Sequence, residues 1–352
     1  MVLTKLEILR RKPFKRKIMD RRELLKQLAG VGGMALALPL IGACQTVPKG
    51  SGLKTRIAFI KTNDRVKGIG QAIDLLGLDK FKKKDWFIKP NFNSADETPG
   101  STHFDILSAL TRKLREMGAD KLTIGDRSGM GVTHDVFENK QIFKLAKEQK
   151  IDTLVFDDLK EEDWDLVKLN GSHWKQGFYI PKLVRNADGI IQTCCLKTHR
   201  YGGHFILSLK NSVGLAAKRV PGNDYNFMTE LHGSPHQRAM IAEINVSYKP
   251  DLIILDGIHA FTTGGPDRGK LVNSQVILAG TDRIAIDAVG VAILRHFGTT
   301  DEVSRGKIFD QEQIARAVQL NLGVASPQQI ELVTNETQSA KYAKEIAAIL
   351  NA

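Results

Sequence analysis

Several charged residues stand directly behind apolar runs that read as buried strands. Lys89 closes 85–89, Asp126 follows 121–125, Lys197 and His199 follow 189–196, and Asp256 follows 251–255. In an open parallel sheet the carboxyl ends of the strands line one edge, where ligands bind. If these strands are parallel, the residues gather on one rim. Lysines there would hold carboxylate or phosphate oxygens as point charges. His199 is the natural acid/base, because an imidazole titrates near neutrality. Asp126 or Asp256 would orient His199 or a cation. Clustered lysines depress one another's pKa, so one of Lys89, Lys197 and Lys210 could itself serve as a base.

Local spacing adds detail. Pro90 holds Lys89 extended, so Lys89 and Asn91 project to one side. Lys197 and His199 are two apart and share a side of an extended chain, and Gly202-Gly203 then lets the backbone turn. Lys210-Asn211 falls in a segment, 205–217, that reads as a helix, with Gly214 one turn later leaving room beside Lys210. The site residues expected from these features are Lys197, His199 and Asp126 for chemistry, and Lys89, Asn91, Lys210, Asn211, Asp256 and Asp282 for ligand binding. The same lysines and aspartates are also compatible with a structural ion network. Asp126, His199, Asp256 and Asp282 could instead offer oxygen and imidazole ligands to a metal. Asp282 also reads as a helix cap, and Asp287 as a residue at the sheet edge or a partner of a lysine. His232 and His236 are four apart, but Gly233 and Pro235 argue against a helix and for a solvated loop.

These positions need a frame. Apolar runs at 55–61, 85–89, 121–125, 153–156, 189–196, 251–255, 275–279 and 329–333 read as strands, and helical spacing appears at 68–76, 103–117, 137–149, 180–186, 237–248, 283–297, 311–320 and 340–350. This alternation predicts an α/β fold, a mainly parallel open sheet with helices on both faces. The stretch 218–234 reads as a mobile loop, and 262–269 as a lid or an ordinary surface loop. Cys194 and Cys195 are adjacent, closer than a normal disulfide permits. They read as small buried strand residues, and the fold is expected to need no disulfide. No C-x-x-C occurs, so no iron–sulfur ligand set is visible and any cofactor is undetermined.

Residues 1–43 look different. A basic flank containing Asp20-Arg21-Arg22-Glu23-Leu24-Leu25-Lys26 precedes an apolar run, 28–43, that ends Leu40-Ile41-Gly42-Ala43-Cys44. The run is shorter than the about 20 residues a spanning helix needs and is rich in glycine. It resembles a twin-arginine export signal ending in a lipobox, with Asp20 and Leu24 departing from the usual residues. The resemblance implies passage through the twin-arginine machinery, a lipid on Cys44 and a periplasmic or cell-envelope location, membrane-anchored through Cys44; an uncleaved anchor is the alternative. A tether over 44–54 and a single α/β domain over 55–352 would follow. Of the formal charge of +12, the leader carries +7. The remainder gives no reason to expect nucleic acid as a partner.

The ordered set Lys89-Pro90-Asn91, Gly125-Asp126, Leu196-Lys197-Thr198-His199, Ser208-Leu209-Lys210-Asn211 with Gly214, Asp256-Gly257, Gly265-Pro266, and Gly280-Thr281-Asp282 with Asp287-Ala288-Val289 resembles the domain-of-unknown-function 362 family, over about 56–303. Many members add a ferredoxin-like segment with cysteine clusters, which this sequence lacks. Electron transfer through clusters of its own is therefore not expected, and because the family's activity is unsettled the resemblance implies a site rather than a reaction. The function expected is a pocket that binds or transforms a small anionic compound. The alternatives are an envelope protein that captures a metal, cofactor or anion without changing it, and a purely structural lipoprotein.

Overall fold

The computed structural model of the protein describes residues 54–79, 81 and 84–352. The expected signal over 1–43, Cys44 and all but the end of the tether lie outside the described residues. Gly52–Ala352 form one compact unit. The strands are β1 (Thr55–Lys61), β2 (Trp86–Lys89), β3 (Leu122–Asp126), β4 (Asp152–Val155), β5 (Trp164–Val167), β6 (Phe178–Pro181), β7 (Gly189–His199), β8 (His204–Ile206), β9 (Leu252–Gly264), β10 (Gly269–Gly280) and β11 (Ile330–Val333). The helices are α1 (Arg65–Leu76), α2 (Phe104–Glu116), α3 (Thr133–Asn139), α4 (Ile142–Gln149), α5 (Lys182–Asn186), α6 (Ser208–Asn211), α7 (Phe227–Gly233), α8 (Gln237–Ile244), α9 (Arg283–His296), α10 (Asp301–Ser304), α11 (Glu312–Gln319) and α12 (Thr337–Leu350).

Nine strands form one sheet in the order β11-β1-β10-β9-β7-β2-β3-β4, with β8 paired to β7 off this path. Among the described strands of this sheet, only β8 and β10 run against the rest, so the expected mainly parallel α/β sheet is what forms. β1 shows how one strand serves two layers. Its Ile57 and Phe59 enter the core beneath α9 and α12, while Ala58 and Ile60 enter the core beneath α1 and α2. β7 is buried along its whole length, as its unbroken apolar run requires.

The connections set the position of the site. From β2 the chain moves outward to β3 and β4, then returns to lay β7 on the other side of β2 and continues to β9. The β2/β7 boundary is therefore a topological switch point, and the crevice outside the carboxyl ends of such strands is where open sheets bind ligands. Lys89 at the end of β2 pairs with Gln192 of β7. β7 runs on past that register to His199 and folds back as β8, raising a wall beside the crevice.

Three expected elements differ. The strands expected at 251–255 and 275–279 extend into a long antiparallel hairpin, β9–β10, whose tip is the segment expected as a lid or surface loop. A charge at Asp256 does not end β9, because the Arg65 guanidinium neutralises it at 2.7 Å. The helix expected over 205–217 begins instead as β8, which pairs with the end of β7, and turns helical only at Ser208. Pairing with a neighbouring strand outweighs local helical spacing there. Finally, the stretch expected as an irregular loop over 218–234 contains α7, capped by Asn226, whose side chain accepts hydrogen bonds from the Met228 and Thr229 amides.

Candidate ligand-binding site

Adjacent β2 and β3 end on opposite charges. Lys89 Nζ lies 2.7 Å from Asp126 Oδ1, with both side chains 1% exposed. The ammonium also donates to the Pro90 carbonyl at 2.6 Å, and Asp126 accepts the Phe92 and Arg127 amides at 2.9 and 2.7 Å. Burial pulls the Lys89 pKa down and the Asp126 pKa up, and each partner opposes the other's shift. Gly214 packs on this pair. A Cβ there would lie 2.5 Å from Asp126 Oδ1 and 2.7 Å from Lys89 Nζ. The sequence places Gly214 beside Lys210; the fold places it over the ion pair.

Lys197 is fully buried. Its Nζ donates to Asn91 Oδ1 at 3.0 Å and to the Gly100 carbonyl. Burial pushes its pKa down to about 8. Asn91 Nδ2 in turn donates to Asn211 Oδ1 at 3.2 Å, and Asn211 Nδ2 donates to the Thr193 carbonyl at 3.1 Å. These bonds tie β2, β7 and α6 together under the crevice.

α6 has four residues, so packing must hold it. Asp287 of α9 accepts the Ser208 amide at 2.7 Å and the Leu209 amide at 3.2 Å. Ser208 Oγ donates to Gln192 Oε1 at 2.6 Å. At the other end Asn245 Nδ2 donates to the Leu209 carbonyl at 3.0 Å. Asp287 thus anchors a helix start rather than pairing with a lysine, and burial raises its pKa to about 8.

Lys210 projects from this anchored turn and is 7% exposed. Its Nζ forms no hydrogen bond or ion pair with any described residue. Burial, with Lys197 nearby, brings its pKa down to about 8. His199 sits beside it: a Cβ on Gly203 would lie 2.6 Å from Lys210 Cε and 2.8 Å from His199 Nδ1. Only glycine fits there. His199 Nδ1 accepts the Gly203 amide at 3.2 Å, which assigns the ring proton to Nε2. Burial, reinforced by Lys210, holds the imidazole pKa far below its usual value, so the ring is neutral at pH 7.

These groups surround a cavity of about 700 Å³ at the switch point. Of the nine residues expected at a site, Lys89, Asn91, Asp126, His199, Lys210 and Asn211 line it. Lys197 lies behind the wall and reaches it through Asn91. Asp256 lines no part of it, since β9 carries it in mid-strand against Arg65. Asp282 is at the other edge of the sheet, because β10 runs antiparallel and delivers its carboxyl end beside the start of β9. There it caps α9 through the Ile284 and Ala285 amides and accepts the Val324 amide. The set Asp126, His199, Asp256 and Asp282 is therefore not brought together. Among the described residues, no three His, Cys, Asp or Glu side chains converge as metal ligands.

Sequence reasoning missed the outer wall. Met228, Thr229 and His232 come from α7, and Arg127 follows Asp126 directly. His232 was expected on a solvated loop; instead its Nδ1 lies 2.7 Å from the Met228 carbonyl, one helical turn back. The available signal was Asn226 as a cap, with Phe227, Met228 and Leu231 spaced as the buried face of a single turn. Arg127 donates to the carbonyls of Ala216, Ser128 and Val213 at 3.0–3.1 Å. Its charge reaches the cavity, while its N–H groups hold the segment after α6.

Cys194 and Cys195 are free and buried in β7, as expected.

A family model described as Domain of unknown function (DUF362) matches residues 87–292, which includes every residue lining the cavity. The lactate racemase apoprotein from Thermoanaerobacterium thermosaccharolyticum is a structural neighbour with 12% identity and a TM-score of 0.41, covering 82% of this chain and 85% of that one. No curated protein matches the chain.

Proposed function

The chain belongs to the DUF362 family, and on that premise we propose that its switch-point cavity binds or transforms a small anionic compound. The observation that carries this reading is a surplus of positive charge. Lys89, Arg127, Lys210 and Lys218 line the cavity, against the single carboxylate of Asp126. Asp126 is already engaged by Lys89, and Lys210 has no counter-ion among the described residues. The Lys210 side chain is buried and its ammonium opens only into the cavity, where a docked carboxylate or phosphate would supply the missing counter-ion. Asn91 and Asn211 add amide groups, and neutral His199 adds a ring N–H. Asp256 and Asp282, two of the four residues expected as metal ligands, lie away from the cavity.

The N-terminal sequence supports placing this site in the cell envelope, with the protein exported through the twin-arginine route and held by a lipid on Cys44. Among the described residues no helix is long and apolar enough to cross a membrane.

Native mass spectrometry on protein purified after export tests the binding reading. A bound small anion, absent from a Lys210→Gln variant, is the expected result. A bound cation or neutral molecule retained by that variant would count against it.

A further inference from the structure

We propose that the Lys210 amine is a carbonyl-reactive nucleophile that forms an imine with a small 2-oxo acid held in the cavity. This deepens the anion-binding reading and rests on it for the choice of an acid.

Two buried lysines stand close to this crevice, and their surroundings separate their roles. Lys197 spends its ammonium on Asn91 Oδ1 and the Gly100 carbonyl. It lines no part of the cavity. Lys210 lines the cavity, is 93% buried by its 7% exposure, and bonds to no described residue. A lysine removed from water and set near other cations is the usual form of an amine nucleophile. Here the nearby cation is Lys197, and together with burial it lowers the Lys210 pKa to about 8. A useful fraction of the amine is then uncharged near neutrality. The adjacent Gly203 keeps the space between Lys210 and His199 free of a side chain. His199 is a neutral ring with its proton on Nε2, a hydrogen-bond donor suited to an oxo oxygen. The surplus charge supplied by Arg127 and Lys218 suits a carboxylate on the same small molecule.

The step is balanced without a further reactant. The Lys210 nitrogen attacks the oxo carbon, a C–N bond forms, and the carbonyl pair moves to oxygen. The nitrogen gives up two protons and the oxygen takes up two. The oxygen departs as water while the nitrogen lone pair closes the C=N bond.

The test uses the whole protein with pyruvate and cyanoborohydride, which reduces an imine to a stable secondary amine that peptide mass spectrometry can locate. Labelling at Lys210 should exceed that at exposed Lys218 by more than about tenfold at pH 7, each unit of pKa being worth about a factor of ten. Lys197 should remain unlabelled. Equal labelling of Lys210 and Lys218, or none at Lys210, would overturn the imine. Oxalate has two carboxylates and no ketone. If oxalate raises the melting temperature of the wild-type protein while Lys210 stays unlabelled, the anion reading stands and the imine fails. If Lys210 is labelled and oxalate neither stabilises the protein nor slows labelling, the nucleophile stands and the choice of an acid fails. Lys210→Arg keeps the charge and removes the nucleophile, so it should keep oxalate stabilisation and lose the adduct.

Discussion

Two lysines at one crevice make opposite contributions to the fold. Lys89 is matched: Asp126 and the Pro90 carbonyl satisfy it. Removing one member of a buried pair strands the other, a loss of about 3–5 kcal/mol. Lys89→Ala and Asp126→Asn should each lower unfolding stability by that order in urea titrations, and a loss below about 1 kcal/mol would mean that water replaces the missing partner. Lys210 is unmatched, so Lys210→Gln should not destabilise the unliganded protein at pH 7. Its pH dependence has a definite sign. The Lys210 pKa falls from an ordinary 10.5 to about 8 on folding. Between those values the unfolded chain binds the extra proton, so stability rises with pH across that window, and below about 8 the group adds no pH dependence. The wild-type protein should therefore gain stability relative to Lys210→Gln as pH climbs from 8 to 10. Lys197 and Lys210 repel each other, so the difference reads the Lys210 titration together with that repulsion. A flat difference would show that Lys210 is solvated.

At the scale of elements, the site depends on a four-residue helix held from outside itself. Asp287 accepts the amides at the start of α6, so Asp287→Ala should loosen Lys210. Ligand stabilisation should drop while secondary structure is retained, and unchanged ligand stabilisation would show that Asn245 and Gln192 suffice. Gly214→Ala should act on the same turn by a different route, forcing a methyl into the Lys89–Asp126 pair; its loss of stability should not add to that of Lys89→Ala, since both break one interaction. Much of this layout was legible in the sequence. Lys89, Asp126 and His199 could be placed because each closes an apolar run, and strand ends are where a buried backbone meets solvent. Asp256 and Asp282 were misplaced for one reason: local sequence does not reveal strand direction. Asp256 reads as a terminus only if β9 stops there, and Arg65, nearly two hundred residues away in sequence, lets it continue. Asp282 reads as part of the rim only if β10 is parallel. α7 escaped because one apolar turn between polar residues has no strong period.

At the scale of the molecule, one compact unit from Gly52 to Ala352 carries every residue that lines the cavity. Two consequences can be checked. Cys194 and Cys195 are free and buried, and a reducing agent should leave the melting temperature of the folded unit unchanged; a fall of several degrees would reveal a bridge worth about 2–4 kcal/mol. The proposed address predicts that Cys44→Ser releases the protein from the membrane fraction and that Arg21→Lys with Arg22→Lys blocks export, while continued export would point to the general secretory route. The surplus charge in the crevice remains the centre of the account. Isothermal titration of the purified protein with oxalate tests it most directly, alongside Lys210→Gln. Oxalate should bind the wild-type protein and raise its stability by about 2.7 kcal/mol at a free concentration of one hundred times Kd, with at least a tenfold weaker affinity in the variant. Equal affinity in the two proteins, or none in either, would contradict it.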